Sequence, residues 1–155
     1  MAEEQSSSKP IKRKQNGLWP DVSSIEGATK AARLGAGAMI WVLLSYLLLT
    51  ALAFLLPDTA AVLIGDADAD EDTAVGLALI AAIAVPVAAL LAWLLWSRKN
   101  LIAAWIALVW AGVEAVMSLA NGVAHLAVGA LVLTLAVNGV RGAHAYRKLR
   151  GAATG

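Results

Sequence analysis

Four long apolar stretches, separated by short polar segments, set the pattern of this chain. Each has close to the roughly 20 apolar residues that a helix needs to cross the hydrocarbon core of a bilayer. They cover residues 34–56, 74–96, 101–120 and 123–146. A helix satisfies its own backbone polar groups, as a segment surrounded by lipid must. The pattern predicts an all-α integral membrane protein, a four-helix transmembrane bundle within residues 23–150, with residues 151–155 as a tail.

The chain before the first span divides into a polar tail and the start of a helix. Residues 1–22 lack any apolar period and are interrupted by proline and glycine, which is typical of a disordered cytoplasmic tail. The sequence SSIE that begins at Ser23 matches a capping box, in which Glu26 reaches back to the start of the helix. We expect a short N-terminal cytoplasmic or interfacial helix here. It either lies on the membrane surface or runs into the first span, with a bend at Gly35 and Gly37.

Lysine and arginine are confined to a few places along the chain. All 12 lie before or at the start of the first span, in the turn between the second and third spans, or from Arg141 onward. The loop after the first span has only acids as charged residues, and the turn at Asn121 and Gly122 has none. Loops rich in Lys and Arg stay on the cytoplasmic side. The positive-inside rule therefore predicts that both termini are cytoplasmic.

Composition narrows the class of protein. Hydrophobic residues make up 60% of the 155 residues and mean hydropathy is +0.73, too apolar for an ordinary soluble domain. A net charge of +1 gives no reason to expect a nucleic-acid partner, and the chain has no cysteine. The acidic loop does not match a calcium-binding loop, because Glu71 stands where the pattern needs glycine. No catalytic motif occurs, so we expect no enzyme activity, catalytic residue, cofactor or metal.

Glu114 is the only acid inside any predicted span. An ionisable residue at that depth is expensive and marks a candidate functional site. At about 100° per residue, its helix face carries small or polar side chains and the opposite face carries large apolar ones. The first face holds Ala103, Ala107, Ala111, Ser118 and Asn121, and the second holds Trp105, Val109, Val116 and Leu119. We therefore expect Glu114 to point into the bundle as a neutral, hydrogen-bonded carboxyl.

Candidate partners of Glu114 follow from depth in the membrane. With antiparallel spans rising about 1.5 Å per residue, Tyr46 and Glu114 fall at similar depth. Tyr46 or Thr50 is the natural partner, and Ser118 lies one turn further along the same helix. His125 lies nearer the outer surface, where it either forms a proton-relay pair with Glu114 or is an interfacial residue. These residues form the predicted intramembrane polar site.

The fourth span has two distinctive faces. One is small enough for close helix packing and carries His125, Gly129, Ala136, Gly139 and Ala143. The other is a polar stripe in the cytoplasmic half, made of Thr134, Asn138 and Arg141. The sequence NGVRGAHAYRKL at residues 138–149 resembles the close of small bacterial inner-membrane proteins that have four predicted spans and no assigned function. That resemblance covers the fourth span, implies the same architecture, and carries over no activity.

Two functions remain open at this stage. The first is a non-catalytic inner-membrane helper, scaffold or complex subunit that acts by helix packing, with the lipid bilayer, a second copy or a larger membrane complex as partner. The second is a small oligomeric proton- or cation-coupled carrier with Glu114 as its coupling acid. A carrier should have a water-accessible cavity at Glu114, whereas a scaffold should have Glu114 sealed by Tyr46 or Thr50.

Overall fold

The computed structural model describes residues 17–56, 59, 71–120 and 123–154. Within these residues the chain forms four long helices, each long and apolar enough to cross a membrane. They are α1 (Ile25–Leu55), α2 (Glu71–Trp93), α3 (Leu101–Ala120) and α4 (Val123–Ala152). The predicted all-α, four-helix fold of a membrane protein is confirmed. Apart from residue 59 and residues 71–73, which begin α2, the acidic loop lies outside the described residues, as does the turn at residues 121–122.

The first helix is continuous where the sequence predicted two pieces. α1 passes without interruption through Gly35 and Gly37, so of the two expected arrangements the N-terminal helix is the one that runs into the first span. Gly35 instead meets Gly139 of α4. A Cβ atom built on Gly35 would lie 2.5 Å from the Gly139 Cα, and one on Gly139 would lie 2.8 Å from the Gly35 Cα. Both glycines therefore allow two helices to approach closely.

The start of α1 is capped one residue later than predicted. Ser24, in extended conformation with φ −120° and ψ 157°, is the cap residue, and its hydroxyl accepts from the Gly27 amide at 3.1 Å. Glu26 does not reach back to the start of the helix as in a capping box. It pairs with Lys30 at 2.8 Å on an exposed face. The predicted box is wrong, because Glu26 finds a cation one helical turn ahead.

The helices pack in the spatial order α2, α1, α4, α3. α1 and α4 form the central pair, α2 lies against α1, and α3 lies against α4. α3 makes only small contacts with α1 and α2. The core is rich in alanine, with Met39 and Leu95 as its largest fully buried apolar side chains. Large apolar residues cover the outer faces; Leu79, Ile83 and Ile102 are 66%, 71% and 72% exposed. A surface of that kind is suited to lipid.

A short turn joins α2 to α3. α2 is continued beyond Trp93 by a π-helical segment, Leu94–Arg98. Lys99 then adopts the left-handed conformation with φ 49° and ψ 42°. The Lys99 ammonium donates to the Trp96 carbonyl at 2.6 Å. Asn100 then caps α3, because its side-chain oxygen accepts from the amides of Ile102 at 2.9 Å and Ala103 at 3.1 Å. The end of α2 and the start of α3 are thereby fixed relative to each other.

The segment before α1 is ordered from residue 17 onward. Residues 17–22 lie beside α4, Pro20 is buried, and the Leu18 carbonyl accepts a hydrogen bond from Asn138. The prediction of a disordered tail is therefore wrong for residues 17–22, since buried Asn138 supplies a partner for that backbone. Residues 1–16, which hold the rest of the predicted tail, lie outside the described residues.

Candidate functional site

Glu114 lies on the buried side of α3, as the helical periodicity predicts. Ala103, Ala107 and Ala111, on the same face, are only 2%, 1% and 0% exposed. On the opposite face Val109 is 66% exposed. Trp105, Val116 and Leu119 share that exposed face. The small side chains let α3 approach α4 closely, which brings the Glu114 carboxyl towards α1.

Two neutral donors converge on one oxygen of Glu114. The Tyr46 hydroxyl of α1 donates to Glu114 Oε1 at 2.9 Å. The indole Nε1 of Trp110, one turn earlier on α3, donates to the same oxygen at 3.2 Å. The Ser118 hydroxyl donates instead to the Glu114 backbone carbonyl at 2.8 Å, so it does not hold the carboxyl. The site therefore joins α1 to α3 through a carboxyl oxygen that no cation neutralises within the described part of the chain.

Two of the predicted partners do not reach Glu114. The Thr50 hydroxyl is buried and has no hydrogen-bond partner among the described residues. The Thr50 residue lines a separate cavity between α1 and α2, together with Val85 and Pro86. The His125 side chain is exposed, and in the described portion of the chain it makes no hydrogen bond to Glu114. The candidate glutamate–histidine pair is therefore not formed.

A cavity of about 140 Å³ adjoins the carboxyl. Its walls come from α1, α3 and α4, and its polar groups belong to Ser45, Tyr46, Glu114 and Ser118. Gly129 of α4 forms the opposite wall, and a Cβ atom there would lie 3.0 Å from the Ser118 hydroxyl. A space of this size with several polar partners suits a few water molecules. It is smaller than the roughly 300–1,000 Å³ typical of pockets for small-molecule ligands.

The chain matched no protein family, no curated protein and no solved structure. Across the described ranges, no group of three His, Cys, Asp or Glu side chains is placed to hold a metal ion. The Glu114 site offers two hydrogen-bond donors and an acceptor carboxyl beside a cavity with room for water.

The predicted polar stripe on α4 forms a second network. Asn138 is fully buried, and its side-chain amide donates to the Leu18 carbonyl at 2.9 Å and the Thr134 carbonyl at 3.0 Å. Its side-chain oxygen accepts from the Arg141 guanidinium at 2.8 Å. The Thr134 hydroxyl donates to the Ala130 carbonyl at 2.8 Å and takes no other part. The stripe therefore fastens the N-terminal segment to α4.

Two contributors were missed by sequence reasoning. Trp110 stands four residues before Glu114, a spacing that places both on one helix face and was open to recognition. Trp19 lies under the Arg141 guanidinium, 3.9 Å from ring centroid to Cζ. That contact joins residues far apart in sequence, and no local pattern predicts it. The aromatic ring gives the arginine a partner that needs no counter-charge.

Proposed function

We propose that this protein is a non-catalytic helper of the bacterial inner membrane, a scaffold or complex subunit that acts through helix packing. The observation that carries the proposal is the engagement of Glu114 by Tyr46 and Trp110. A carboxyl held by two neutral donors is suited to joining helices. Such a hydrogen bond contributes roughly 0.6 to 2 kcal/mol in a membrane.

The placement of that bond supports the same function. α3 touches α1 only lightly, and the Tyr46–Glu114 hydrogen bond links them across that gap. Beyond it, the outer faces of α2 and α3 present continuous apolar surface suited to lipid, a second copy or a larger complex. The adjoining cavity is small for a solute site. Each of these features favours a structural role over transport of a substrate.

The proposal includes an orientation. The cations of the described chain lie at the end of the bundle formed by the start of α1, the α2–α3 turn and the end of α4. Lys and Arg are retained on the cytoplasmic side. The proposed arrangement therefore has both termini in the cytoplasm. The resemblance of residues 138–149 to four-span bacterial inner-membrane proteins supports the same assignment.

The test is recovery of partners from native membranes. The tagged full-length protein, extracted in mild detergent after cross-linking, should bring down a second copy or a defined set of membrane proteins. Glu114→Gln keeps a donor and an acceptor and should retain them, whereas Glu114→Leu should weaken recovery. Glu114→Gln is therefore the matched control for Glu114→Leu, because it changes the same position and keeps an acceptor for Tyr46 and Trp110. Recovery of a bare monomer from wild-type membranes would overturn the proposal.

The second candidate function is a small oligomeric proton- or cation-coupled carrier. The observation that favours it is the cavity whose polar walls include Ser45, Glu114 and Ser118. In proteoliposomes with an entrapped pH-sensitive dye, a carrier would show ion-coupled proton flux that Glu114→Gln abolishes while leaving the protein assembled. No flux above that of empty liposomes, with partners still recovered, would favour the scaffold.

A further inference from the structure

A larger cavity, of about 470 Å³, lies at the basic end of the bundle. The α2–α3 turn forms one wall and the last turns of α4 form the other. Four cationic side chains line it: Arg98, Lys99, Arg147 and Arg150. Tyr146 adds a phenol, and Ile102 adds an apolar wall. The cavity is remote in sequence and position from the Glu114 site, and the proposed function makes no use of it.

The charge of this cavity is not balanced within the described chain. None of its lining residues is an acid. The ion pair formed among the described residues, between Glu26 and Lys30, belongs to another element. Four cationic residues that line one cavity without a carboxylate among them repel one another, so the cavity favours an anion. Arginine guanidinium groups suit phosphate oxygens in particular, because their planar fork donates two parallel hydrogen bonds.

Lys99 gives an independent reason to regard the turn as a built site. It adopts the left-handed conformation, which glycine or asparagine adopts more easily than lysine. Its ammonium is drawn against the Trp96 and Ser97 carbonyls at 2.6 and 3.4 Å. Lys99 gives the wall of the cavity a positive charge. Glycine or asparagine, which would adopt the left-handed conformation more easily, would give it none. Backbone strain of this kind is tolerated where a function requires it.

The surroundings indicate that the anion comes from the bilayer. Ile102, in the wall of the cavity, is 72% exposed at the start of the lipid-facing side of α3. Trp93 and Trp96, at the end of α2, are 53% and 51% exposed, which is typical of an aromatic belt at the membrane interface. A headgroup placed among the four cations would have its acyl chains alongside this apolar surface. A small soluble anion would use the cations alone.

We propose that this cavity binds the phosphate group of an anionic phospholipid. Basic pockets between membrane helices hold such headgroups, and each nearby Lys or Arg contributes about 1 kcal/mol. Arg98 and Lys99 contribute positive charge from the turn, while Arg147 and Arg150 contribute it from α4. Bound lipid thus joins the α2–α3 turn to the end of α4.

The experiment measures lipid binding to the full chain in an uncharged detergent. Phosphatidylglycerol is titrated while thermal unfolding is followed, with phosphatidylcholine as the zwitterionic control. Arg147→Gln is compared with Lys148→Gln, a change of the same charge on the next residue, which does not line the cavity. Inorganic phosphate alone, at equal ionic strength, forms the third arm. The readouts are the midpoint of unfolding and the apparent dissociation constant.

The expected result is a rise in the midpoint with phosphatidylglycerol and little change with phosphatidylcholine. Arg147→Gln should weaken the apparent affinity about fivefold, the equivalent of about 1 kcal/mol, and Lys148→Gln should leave it within about twofold. Equal losses in both variants would mean diffuse attraction and would overturn the site. No loss in either variant would do the same. If inorganic phosphate raised the midpoint as much as phosphatidylglycerol does, and Arg147→Gln weakened that effect, the ligand would be free phosphate and not a lipid.

Discussion

The hydroxyl of Tyr46 lies 2.9 Å from the carboxyl of Glu114, across 68 residues of sequence and between two helices that otherwise touch little. Trp110 completes the arrangement from within α3. Because one carboxyl oxygen accepts both bonds, loss of that oxygen leaves two donors without their partner. The predictions for this site depend on that shared acceptor.

Glu114→Gln should leave the protein close to wild-type stability. The carboxamide oxygen replaces the acceptor for Tyr46 and Trp110. Glu114→Leu removes it and should lower the free energy of unfolding by roughly 0.6 to 2 kcal/mol. The measurement is thermal unfolding of both variants in the same detergent. If Gln destabilises as much as Leu, the ionised carboxylate is required and the neutral hydrogen-bonded account is wrong.

Two hydroxyl deletions on α1 should have opposite effects. Tyr46→Phe removes the bond to Glu114 and should destabilise by roughly 0.6 to 2 kcal/mol. Thr50→Val, one turn further along, replaces a buried hydroxyl that lacks a partner in the described chain. That change should be neutral or stabilising by about 1 kcal/mol, because an unsatisfied buried group carries a desolvation cost. Equal destabilisation by both variants would contradict this assignment of partners.

Gly35 and Gly37 provide a matched pair on one helix. Gly35→Ala places a methyl group against the Gly139 backbone and should destabilise by about 1 to 3 kcal/mol through overpacking. Gly37 has open space around it, so Gly37→Ala should be neutral or stabilising by about 0.5 to 1 kcal/mol through helix propensity. Thermal unfolding of both variants checks the pair. A stable Gly35→Ala variant would refute the close crossing.

The N-terminal segment should loosen when Arg141 is changed. Arg141→Gln removes the cation over Trp19, a contact that contributes about 0.5 to 2 kcal/mol. Hydrogen–deuterium exchange of residues 17–22 should become severalfold faster, while exchange of α3 stays unchanged. Lys148→Gln, with the same loss of charge further along α4, is the control and should leave both regions alone. Unchanged exchange of residues 17–22 in Arg141→Gln would mean that Arg141 does not hold this segment against α4.

Reporter fusions test the proposed orientation. A fusion at Gly155 should read as cytoplasmic, and fusions at Gly65 and Gly122 should read as periplasmic. The reason is that lysine and arginine cluster at the opposite end of the chain's spans from both loops. A cytoplasmic signal at Gly65 would overturn the topology.

Sequence periodicity predicts those features that depend on a single helix. It predicted four spans and the buried face of α3, because the length of a span and the side of a helix are local properties. It left Tyr46 and Thr50 as equal candidates, since they share one face of α1 and only the packed geometry separates them. Gly35 was assigned to a bend because a missing Cβ atom serves both bends and close contacts. The residue that shows Gly35 to be a close contact is Gly139, which lies on α4, far away in sequence.

The burial of Asn138 could not be predicted from the sequence, because the residues that cover it are distant along the chain. A polar stripe on α4 was visible, but its partner is the backbone of residues 17–22. That segment has no periodicity of its own. Its contacts with α4 include the Asn138 hydrogen bond and the stacking of Trp19 against Arg141. Trp110 is the one contributor that helical spacing alone could have supplied.

The pairing of the first helix with the last one constrains how the chain is assembled. α2 can dock on α1 as soon as both are inserted, but the Gly35 face of α1 has to wait for α4, which is synthesised after α2 and α3. During synthesis that face is open to other membrane helices. Completion of the four-helix bundle therefore waits for the synthesis of α4, and a chain truncated before α4 leaves the Gly35 face of α1 uncovered.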